Sequence, residues 1–592
     1  MGGASTRALE SSERKALMAV GRGERPADLI LRDGVVCNVY SREIHPADVV
    51  VADGRIVLVG DAQGLEAVEE RDVGGRYIAP GLIEPHGHPW ILYNPRSYAQ
   101  ALLARGVTAA ACDDLPLRAA FGERLPQALA AIRDLPLRYY WLMRVGFYGP
   151  DADPEGPGEG ILSESEIARG LGEPRVLGVA ELNRWLSVIA GADDILGAFS
   201  LARARGQVVQ GHTAGARARD LNLLSLAGID SCHEAISVAE ARARLRLGLY
   251  TMLRHSSLRA DLPALQGLLQ EDIDLSRIML TTDGSSAAHI DREGHLDGML
   301  RGLVAAGIDP LAALQLATIH PATYLGLQGE IGGIAPGRRA DIVIYPDLES
   351  FVPELVFAGG RLVARVGELV ADLPQIAWPE PRTEHPYHPG PVSASELVLP
   401  YEGPVQVISF FDSVLTRGET LDLPRRGATY DLSERPDLLY AALVARDGRF
   451  VSRGIVGGLM RDLEGFATSY LLNGHLLVLG RDPEAMAKAL DEIADRDGGF
   501  LHVAGRRVEW YLPLPLFGIM RGGSFQDAVE GSRELERFTR AHGYRYADPA
   551  YSLHFLVGDF LPGPRLTARG QVDAKTGAVI HAAVRRPARS GP

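Results

Sequence analysis

The middle of the chain alternates between short apolar runs and longer stretches in which apolar residues recur at helical spacing. The apolar runs lie at residues 77–83, 107–112, 138–145, 176–180, 207–211, 228–232, 249–253 and 278–282. Such alternation is typical of parallel strands that are joined by crossover helices. Eight strands within roughly 250 residues predict a closed (β/α)8 barrel of the TIM type, so the predicted fold class is α/β.

Strand-like patterns flank this segment on both sides. Asp-Gly pairs at residues 33–34 and 53–54 separate apolar runs and predict hairpin turns. A matching β pattern returns far downstream, at residues 337–345 and 355–364. A single small β domain, built from both flanks of the barrel, explains this arrangement. The predicted boundaries are 1–76 plus 331–371 for the discontinuous β domain and 77–330 for the barrel.

A proline-rich linker and a third domain follow. The linker, residues 372–396, contains six prolines. Beyond it, strand-like runs mix with two predicted helices, which places an α/β domain at residues 397–592. The strand-like runs lie at 405–411, 476–480 and 499–503, and the predicted helices at 482–496 and 524–542.

Composition narrows the range of partners. The formal net charge of −14 argues against a nucleic-acid backbone as ligand, because phosphate binding needs a basic surface. Three widely spaced cysteines, Cys37, Cys112 and Cys232, form no disulfide framework, which fits a reducing cytoplasm. The sequence has no apolar stretch of membrane-spanning length and no signal-peptide core, so we expect a cytoplasmic protein without a membrane partner.

Candidate metal ligands stand at the ends of the predicted barrel strands. His86 and His88 follow the first run, and side chains two residues apart on a strand point to the same side, so both can reach one cation. A His-x-His pair alone is a weak signal. It gains weight because ligand types recur at later strand ends, where barrels of this kind place their active sites. These further residues are Glu181, His212, His233 and Asp283.

The six residues predict a hydrolytic centre with two divalent metal ions. A divalent metal lowers the pKa of its bound water enough for attack on an unactivated C–N bond at neutral pH. Glu181 is the natural bridge between two metals, and Asp283 can accept the proton of the water and pass it to the leaving nitrogen. Histidine and carboxylate ligands suit Zn, Mn or Fe(II).

Longer motifs surround these positions. They are residues 80–88 (PGLIEPHGH), 211–215 (GHTAG), 231–234 (SCHE), 334–341 (IAPGRRAD) and 512–518 (LPLPLFG). Over nearly its whole length the chain resembles the amidohydrolase superfamily, and within it the adenine deaminase family. The resemblance implies the metal ligands named above. It also implies that Arg254 and Glu234 are site residues, for substrate binding and proton transfer, and that residues 397–592 form a C-terminal domain of the adenine deaminase type.

The chain departs from the family pattern at substrate-facing positions. Residues 113–116 (DDLP), 254–257 (RHSS) and 469–475 (SYLLNGH) differ from the family motifs, and Gly284 stands where the family has a second aspartate. The metal ligands are kept while the expected substrate contacts are changed. The candidate substrate-binding residues are Arg254, His255, Trp90 and Asn183.

Three functions remain open from the sequence. The first is deamination of adenine or a related amino-heterocycle. The second uses the same centre to hydrolyse a cyclic amide, a lactam or another C–N bond. The third is a catalytically idle scaffold, against which the complete ligand set argues. We expect a small-molecule substrate and a homo-oligomer, dimeric or larger. We also expect a third domain that caps the barrel or supports oligomerisation without placing His475 on the substrate, and a substrate less polar or larger than adenine.

Overall fold

A computed structural model describes residues 9–145, 162–183, 185–383, 385–471 and 473–587 of the chain. In this part of the chain three large sheets follow one another, two of nine strands and one of eight. The fold class is α/β, with an eight-stranded parallel barrel at its centre. The longest helix of the described residues, Phe525–Ala541, has a polar face, and no described helix meets the length and hydropathy needed to cross a membrane.

The first sheet is assembled from both flanks of the barrel. Tyr77–Pro80 pairs in antiparallel fashion with Ile342–Tyr345, which joins the two halves. Helix Ser11–Gly21 buries Leu17 and Val20 against this sheet. The strands are Ala27–Asn38, Glu43–Ala52, Arg55–Gly60, Ala67–Asp72, Tyr77–Pro80, Ile342–Tyr345, Leu355–Ala358, Arg361–Arg365 and Glu368–Leu369.

Of the two expected hairpin turns, one is present and one is a bulge. Asp53 and Gly54 have φ of 50° and 72° and turn the chain between two paired strands, as a tight hairpin requires. Asp33, in contrast, lies inside the strand Ala27–Asn38, where the pairing register shifts between Leu31 and Gly34. A Cβ at Gly34 would lie 2.2 Å from Ile78 Cδ1. The glycine therefore serves close packing within the sheet and not a chain reversal.

The second sheet is the barrel. Neighbouring strands run parallel from first to last, and an isolated parallel bridge between Gly87 and Asp283 brings the last strand back to the first. The eight strands are Leu82–Gly87, Val107–Asp113, Arg138–Met143, Val176–Leu182, Val208–Gly211, Ser231–Cys232, Tyr250–Arg254 and Ile278–Thr281. The α-helices around them are Pro95–Ala104, Leu115–Phe121, Leu125–Ile132, Glu164–Leu171, Trp185–Ile189, Asp193–Ala204, Ala218–Leu226, Val238–Arg246, Leu262–Leu265, Ala287–Glu293, Leu296–Ala305, Pro310–Leu316 and Ile319–Tyr324.

The first predicted strand, 77–83, is divided in the structure. Tyr77–Pro80 belongs to the first sheet, and the barrel strand begins only at Leu82. Gly81 lies between them, where a Cβ would be 2.1 Å from Thr108 Oγ1. The sequence cannot show this division, because both halves of the run are buried and apolar. The first half pairs with Ile342–Tyr345 and the second with Val107–Asp113. The consequence for the site is that His86 is part of the barrel strand Leu82–Gly87 itself.

The third sheet carries the C-terminal region. Its strands are Val405–Phe410, Thr416–Leu421, Leu438–Val444, Phe450–Gly457, Gly465–Thr468, Leu476–Gly480, Gly499–Ala504, Arg507–Pro513 and Val584–Arg585. Smaller sheets are formed by Arg425–Arg426 with Thr429–Tyr430, and by Pro564–Thr567, Gly570–Asp573 and Val579–Ala582. Helix Pro483–Asp495 packs on the large sheet, and helices Phe525–Ala541 and Pro549–Phe555 follow. One buried apolar cluster continues from the barrel into this region through Ala550, Tyr551 and Leu553.

Candidate metal centre

The six predicted ligands meet at the C-terminal mouth of the barrel. Their ligand atoms form three overlapping groups, and within each group the atoms lie within 4.8 Å of one another. The groups are His86, His88 and Glu181; His86, His233 and Asp283; and Glu181, His212 and His233. The geometry expected for strand ends of one barrel is thus present, since each residue comes from its own strand or from the residues directly after it.

Glu181 lies at the centre of the cluster. Its Oε2 is 3.0 Å from His212 Nδ1, 3.3 Å from His233 Nε2 and 3.9 Å from His86 Nε2. Burial alone would raise the pKa of Glu181, but its interactions with His212 and His233 outweigh burial and hold that pKa well below its usual range. The carboxylate is therefore ionised and faces histidines of three different strands.

The imidazole rings present buried nitrogen atoms without a hydrogen-bond partner. These atoms are His86 Nε2, His88 Nδ1, His212 Nε2 and His233 Nε2. Gln210 explains the orientation of the first ring, because its Oε1 lies 2.6 Å from His86 Nδ1 while its amide donates to the Pro85 carbonyl. Such a bond fixes the Nδ1–H tautomer and leaves Nε2 as a lone-pair donor. Buried imidazole lone pairs beside ionised carboxylates are the donor set of a cation, so the residues fit a divalent metal centre.

Asp283 is fixed from two sides. His88 Nε2 lies 2.9 Å from its Oδ1, and Arg254 donates to its Oδ2 at 3.0 Å. Burial would raise the pKa of Asp283, but the interactions with His86 and His88 outweigh it and keep that pKa well below its usual range. Its φ of 56° lies in the left-handed region that few residue types tolerate, and backbone strain of this kind is concentrated at functional sites.

Arg254 joins three carboxylates. Besides Asp283, it donates to Glu234 through Nη1 and to Asp261 through Nη2 at 3.1 Å. Burial would raise the pKa of Glu234, yet the charge of Arg254 overcomes it and holds the carboxyl ionised. Glu234 Oε1 also lies 3.3 Å from His233 Nε2. Both residues that the resemblance added to the site are therefore at the centre.

A narrow cavity opens onto the ligands, with a volume of about 70 Å³. Trp90, Asn183 and Arg254 line it, as expected for substrate-binding residues, and the Trp90 indole donates to Asp113 at 2.8 Å. His255 is not among the lining residues; its ring faces His289 at 6.2 Å. The geometry does not favour the predicted substrate contact of His255, because it follows Arg254 directly and neighbouring strand-end residues point to opposite sides.

Two polar residues at the ends of barrel strands, Asp113 and Arg144, had no role in the site predicted from the sequence. Arg144 donates to Asp113 at 2.7 Å and to Glu181 at 3.1 Å, and its Nη1 reaches Asn183 Oδ1 at 3.0 Å. Burial raises the pKa of Asp113, but the charges of His88 and Arg144 lower it to about 2. The available signal was position alone, since both residues stand at the ends of barrel strands, as the ligands do.

The C-terminal region supplies a whole wall of the cavity. This wall consists of Val414, Tyr551, His554, Phe555, Phe560 and Leu561. The Phe560 ring meets the ring of the ligand His212 edge to face, at 5.7 Å. No spacing in the sequence indicates these contacts, because they arise from docking of segments that lie far beyond the last barrel strand, Ile278–Thr281.

His475 lies elsewhere. Its ring packs edge to face on Phe450 at 4.9 Å and its Nδ1 accepts from the Arg446 amide at 3.4 Å. It is absent from the lining of the cavity. The third domain thus covers the barrel mouth without bringing His475 to it, although it brings a different histidine, His554.

Comparisons with known proteins agree with the arrangement. The family model described as "Amidohydrolase family" matches residues 77–363, and "Adenine deaminase C-terminal domain" matches residues 413–578. A protein of Nitratidesulfovibrio vulgaris named adenine deaminase is 34% identical over 571 residues, which cover 95% of this chain and 97% of that protein. One of Deinococcus deserti with the same name is 33% identical, covering 98% and 99%.

A solved structure also matches part of the chain. The dihydropyrimidinase of Brevibacillus agri superimposes with a TM-score of 0.46 at 15% identity, covering 58% of this chain and 96% of that protein. Similarity at this level carries no argument about the substrate.

Proposed function

The chain belongs to the adenine deaminase family of the amidohydrolases, and from this premise we propose that it hydrolyses adenine to hypoxanthine and ammonia. The observation that carries the proposal is the convergence of four histidines and two carboxylates on one cavity at the barrel mouth. The two relatives named above match over 571 and 585 residues and carry this activity in their names.

We propose that the centre holds two divalent cations, Mn, Zn or Fe(II). His86, His88 and Asp283 would hold one, His212 and His233 the other, and Glu181 both. Bound there, divalent ions supply a water with a pKa low enough for attack at neutral pH. The buried, unpartnered imidazole nitrogens and the two ionised carboxylates support this assignment.

Asp283 is the proposed general base and acid. It takes the proton of the attacking water on a carboxylate oxygen and returns it to the leaving amine. Arg254 and His88 position the carboxylate from opposite oxygens. Because its pKa is held low, the Asp283 carboxylate is deprotonated throughout the neutral range.

Glu234 is the proposed partner of the substrate ring. Its carboxylate is held by Arg254 and lies beside His233 at the cavity wall. In this position it can exchange a proton with a ring nitrogen next to the reacting carbon. Trp90 and Asn183 are the proposed neighbours of the ring, since both line the same cavity.

The lining of the cavity relates to the expectation from the sequence that the substrate is less polar or larger than adenine. Phe555, Phe560 and Leu561 make one wall apolar, in line with a substrate region of low polarity. That the substrate is larger than adenine stays a prediction from the sequence.

Ammonia release tests the proposal directly. Protein purified with Mn or Zn present is incubated with adenine, other aminopurines, a lactam panel and a cyclic imide panel. We expect release of ammonia from adenine with formation of hypoxanthine. Hydrolysis of a lactam or imide, with adenine untouched, would contradict the proposal and favour the other C–N hydrolase.

We also propose a homo-oligomer. Two neighbouring barrel helices expose large apolar side chains, which supports burial of this face in an interface. They are Leu186, Leu223 and Leu226, with 58%, 39% and 85% of their surface exposed. Light scattering of the parent and of Leu226→Glu measures the assembly.

The cytoplasmic location and the lack of a nucleic-acid partner stay predictions from composition.

A further inference from the structure

Helix Pro549–Phe555 of the C-terminal region is fastened to the barrel mouth at its first turn. The Asp548 carboxylate accepts a hydrogen bond from Ser257 Oγ at 2.6 Å and caps the helix at the amide of Tyr551. Ser257 Oγ in turn accepts from the Ser286 amide at 2.9 Å. Because Ser257 follows the seventh strand and Ser286 the eighth, the helix is held by two barrel loops at once.

Tyr551 on this helix occupies the space beside Gly284. A Cβ at Gly284 would lie 1.6 Å from Tyr551 Oη and 2.9 Å from its Cζ. No side chain fits at position 284 while the helix is docked. The glycine directly after Asp283 therefore leaves room for Tyr551 of the C-terminal region, which borders the cavity at this point.

His554, one turn further along, points into the same cavity. It is 3% exposed and lines the cavity together with His88 and Arg144. A neutral imidazole offers one donor and one acceptor, which matches a heterocycle edge that carries both a ring nitrogen and a ring N–H.

We propose that His554 is a specificity-determining residue, whose imidazole contacts one ring nitrogen of the planar heterocycle bound in the cavity. The proposal rests on the proposed function and extends it, because it assigns part of substrate selection to the C-terminal region in addition to the barrel. Phe555 and Phe560 line the same cavity as His554 and supply flat apolar surface for the ring.

Binding of deaza analogues tests the contact. The metal-loaded parent, His554→Ala and His554→Gln, each carrying Asp283→Asn so that adenine is not consumed, are titrated by calorimetry with adenine and with 1-, 3- and 7-deazaadenine, each of which lacks one ring nitrogen. We expect the parent to bind one deaza analogue about tenfold or more weaker than adenine, because a buried polar group then loses its partner. His554→Ala should lose this difference, and His554→Gln should keep part of it.

A matched control separates contact from structure. His475→Ala removes another buried histidine of the same region that lies outside the cavity, and it should keep the parental difference. Equal discrimination by the parent and His554→Ala, or a parent that binds none of the four compounds, would overturn the proposal. Metal content and the melting temperature of each variant show whether folding is retained.

The calorimetric result is independent of turnover. A parent that binds adenine through His554 but releases no ammonia contradicts the proposed function and leaves the contact standing. A parent that deaminates adenine while His554→Ala keeps the parental discrimination contradicts the contact alone.

Discussion

At the scale of the residue, the neighbours of each side chain decide its state in the centre. The carboxylates are kept ionised, and the imidazole rings present nitrogen lone pairs. Glu181 and Asp283 keep low pKa values inside a buried cluster only because histidines and Arg254 surround them. The same groups would be costly to bury alone. The arrangement is therefore a functional one, and single substitutions in it should affect chemistry and metal affinity separately.

Asp283→Asn should reduce kcat by about 10²–10⁴-fold, because an amide cannot take the proton of the attacking water. Asparagine tolerates the left-handed backbone at this position (φ 56°), so the fold should be retained. Steady-state kinetics with metal analysis of the same samples measures the effect. A near-parental rate at full metal occupancy would refute the role of Asp283.

Gln210→Leu should weaken metal binding by about 10–100-fold, because the orientation and tautomer of His86 are then no longer fixed. Gln207→Leu is the matched control. Gln207 is also buried, but it donates to the Leu171 and Val176 carbonyls away from the ligands. Competition with a chelator of known affinity gives both values, and equal affinities for the two variants would contradict the assignment.

At the scale of the element, the barrel strands could be recognised in the sequence as apolar runs with candidate ligands at their ends. No comparable pattern indicated that helix Pro549–Phe555 borders the site. His86, Glu181 and Asp283 could be predicted because each directly follows or ends an apolar run. The divided run at 77–83 and the bulge at Asp33-Gly34 could not, because pairing with distant strands decides them. The sequence also could not separate Arg254, which lines the cavity, from His255, which does not, because the two residues are adjacent and point to different sides.

The docking of helix Pro549–Phe555 can be tested through Gly284. Gly284→Ala should destabilise the protein by about 1–3 kcal/mol, because its Cβ collides with Tyr551. Adding Tyr551→Ala should recover part of this loss. Gly302→Ala is the control, since no atom lies near its Cβ in helix Leu296–Ala305. Additive effects of the two substitutions in denaturant unfolding would show that helix and turn do not meet.

At the scale of the whole molecule, two regions form one site, with the predicted ligands from the barrel and a wall from the C-terminal region. The family could be identified from sequence, because its motifs are short and local. The substrate wall could not, since Tyr551 and His554 reach the cavity only after the third domain has docked. Sequence thus predicts the chemistry better than the selectivity.

Acid should weaken the fold in part through His475. Burial lowers the pKa of His475 to about 3, whereas an unfolded histidine titrates near about 6.5. Between these values the unfolded chain binds a proton that the folded chain does not, so the free energy of unfolding falls as the pH falls below about 6.5. We expect the melting temperature of the parent to drop more from pH 7 to pH 5 than that of His475→Asn. Parallel curves for the two proteins would contradict the shift.

The most direct test of the central claim is a joint titration of metal content and adenine deamination. Metal-stripped protein receives Mn or Zn in steps, and each sample is analysed for bound metal and for ammonia released from adenine. We expect activity to rise with occupancy and to level off near two equivalents per chain, while His86→Ala retains little metal and little activity. Full deamination by metal-free protein, or a His86→Ala variant that matches the parent in both readouts, would contradict a metal-dependent adenine deaminase.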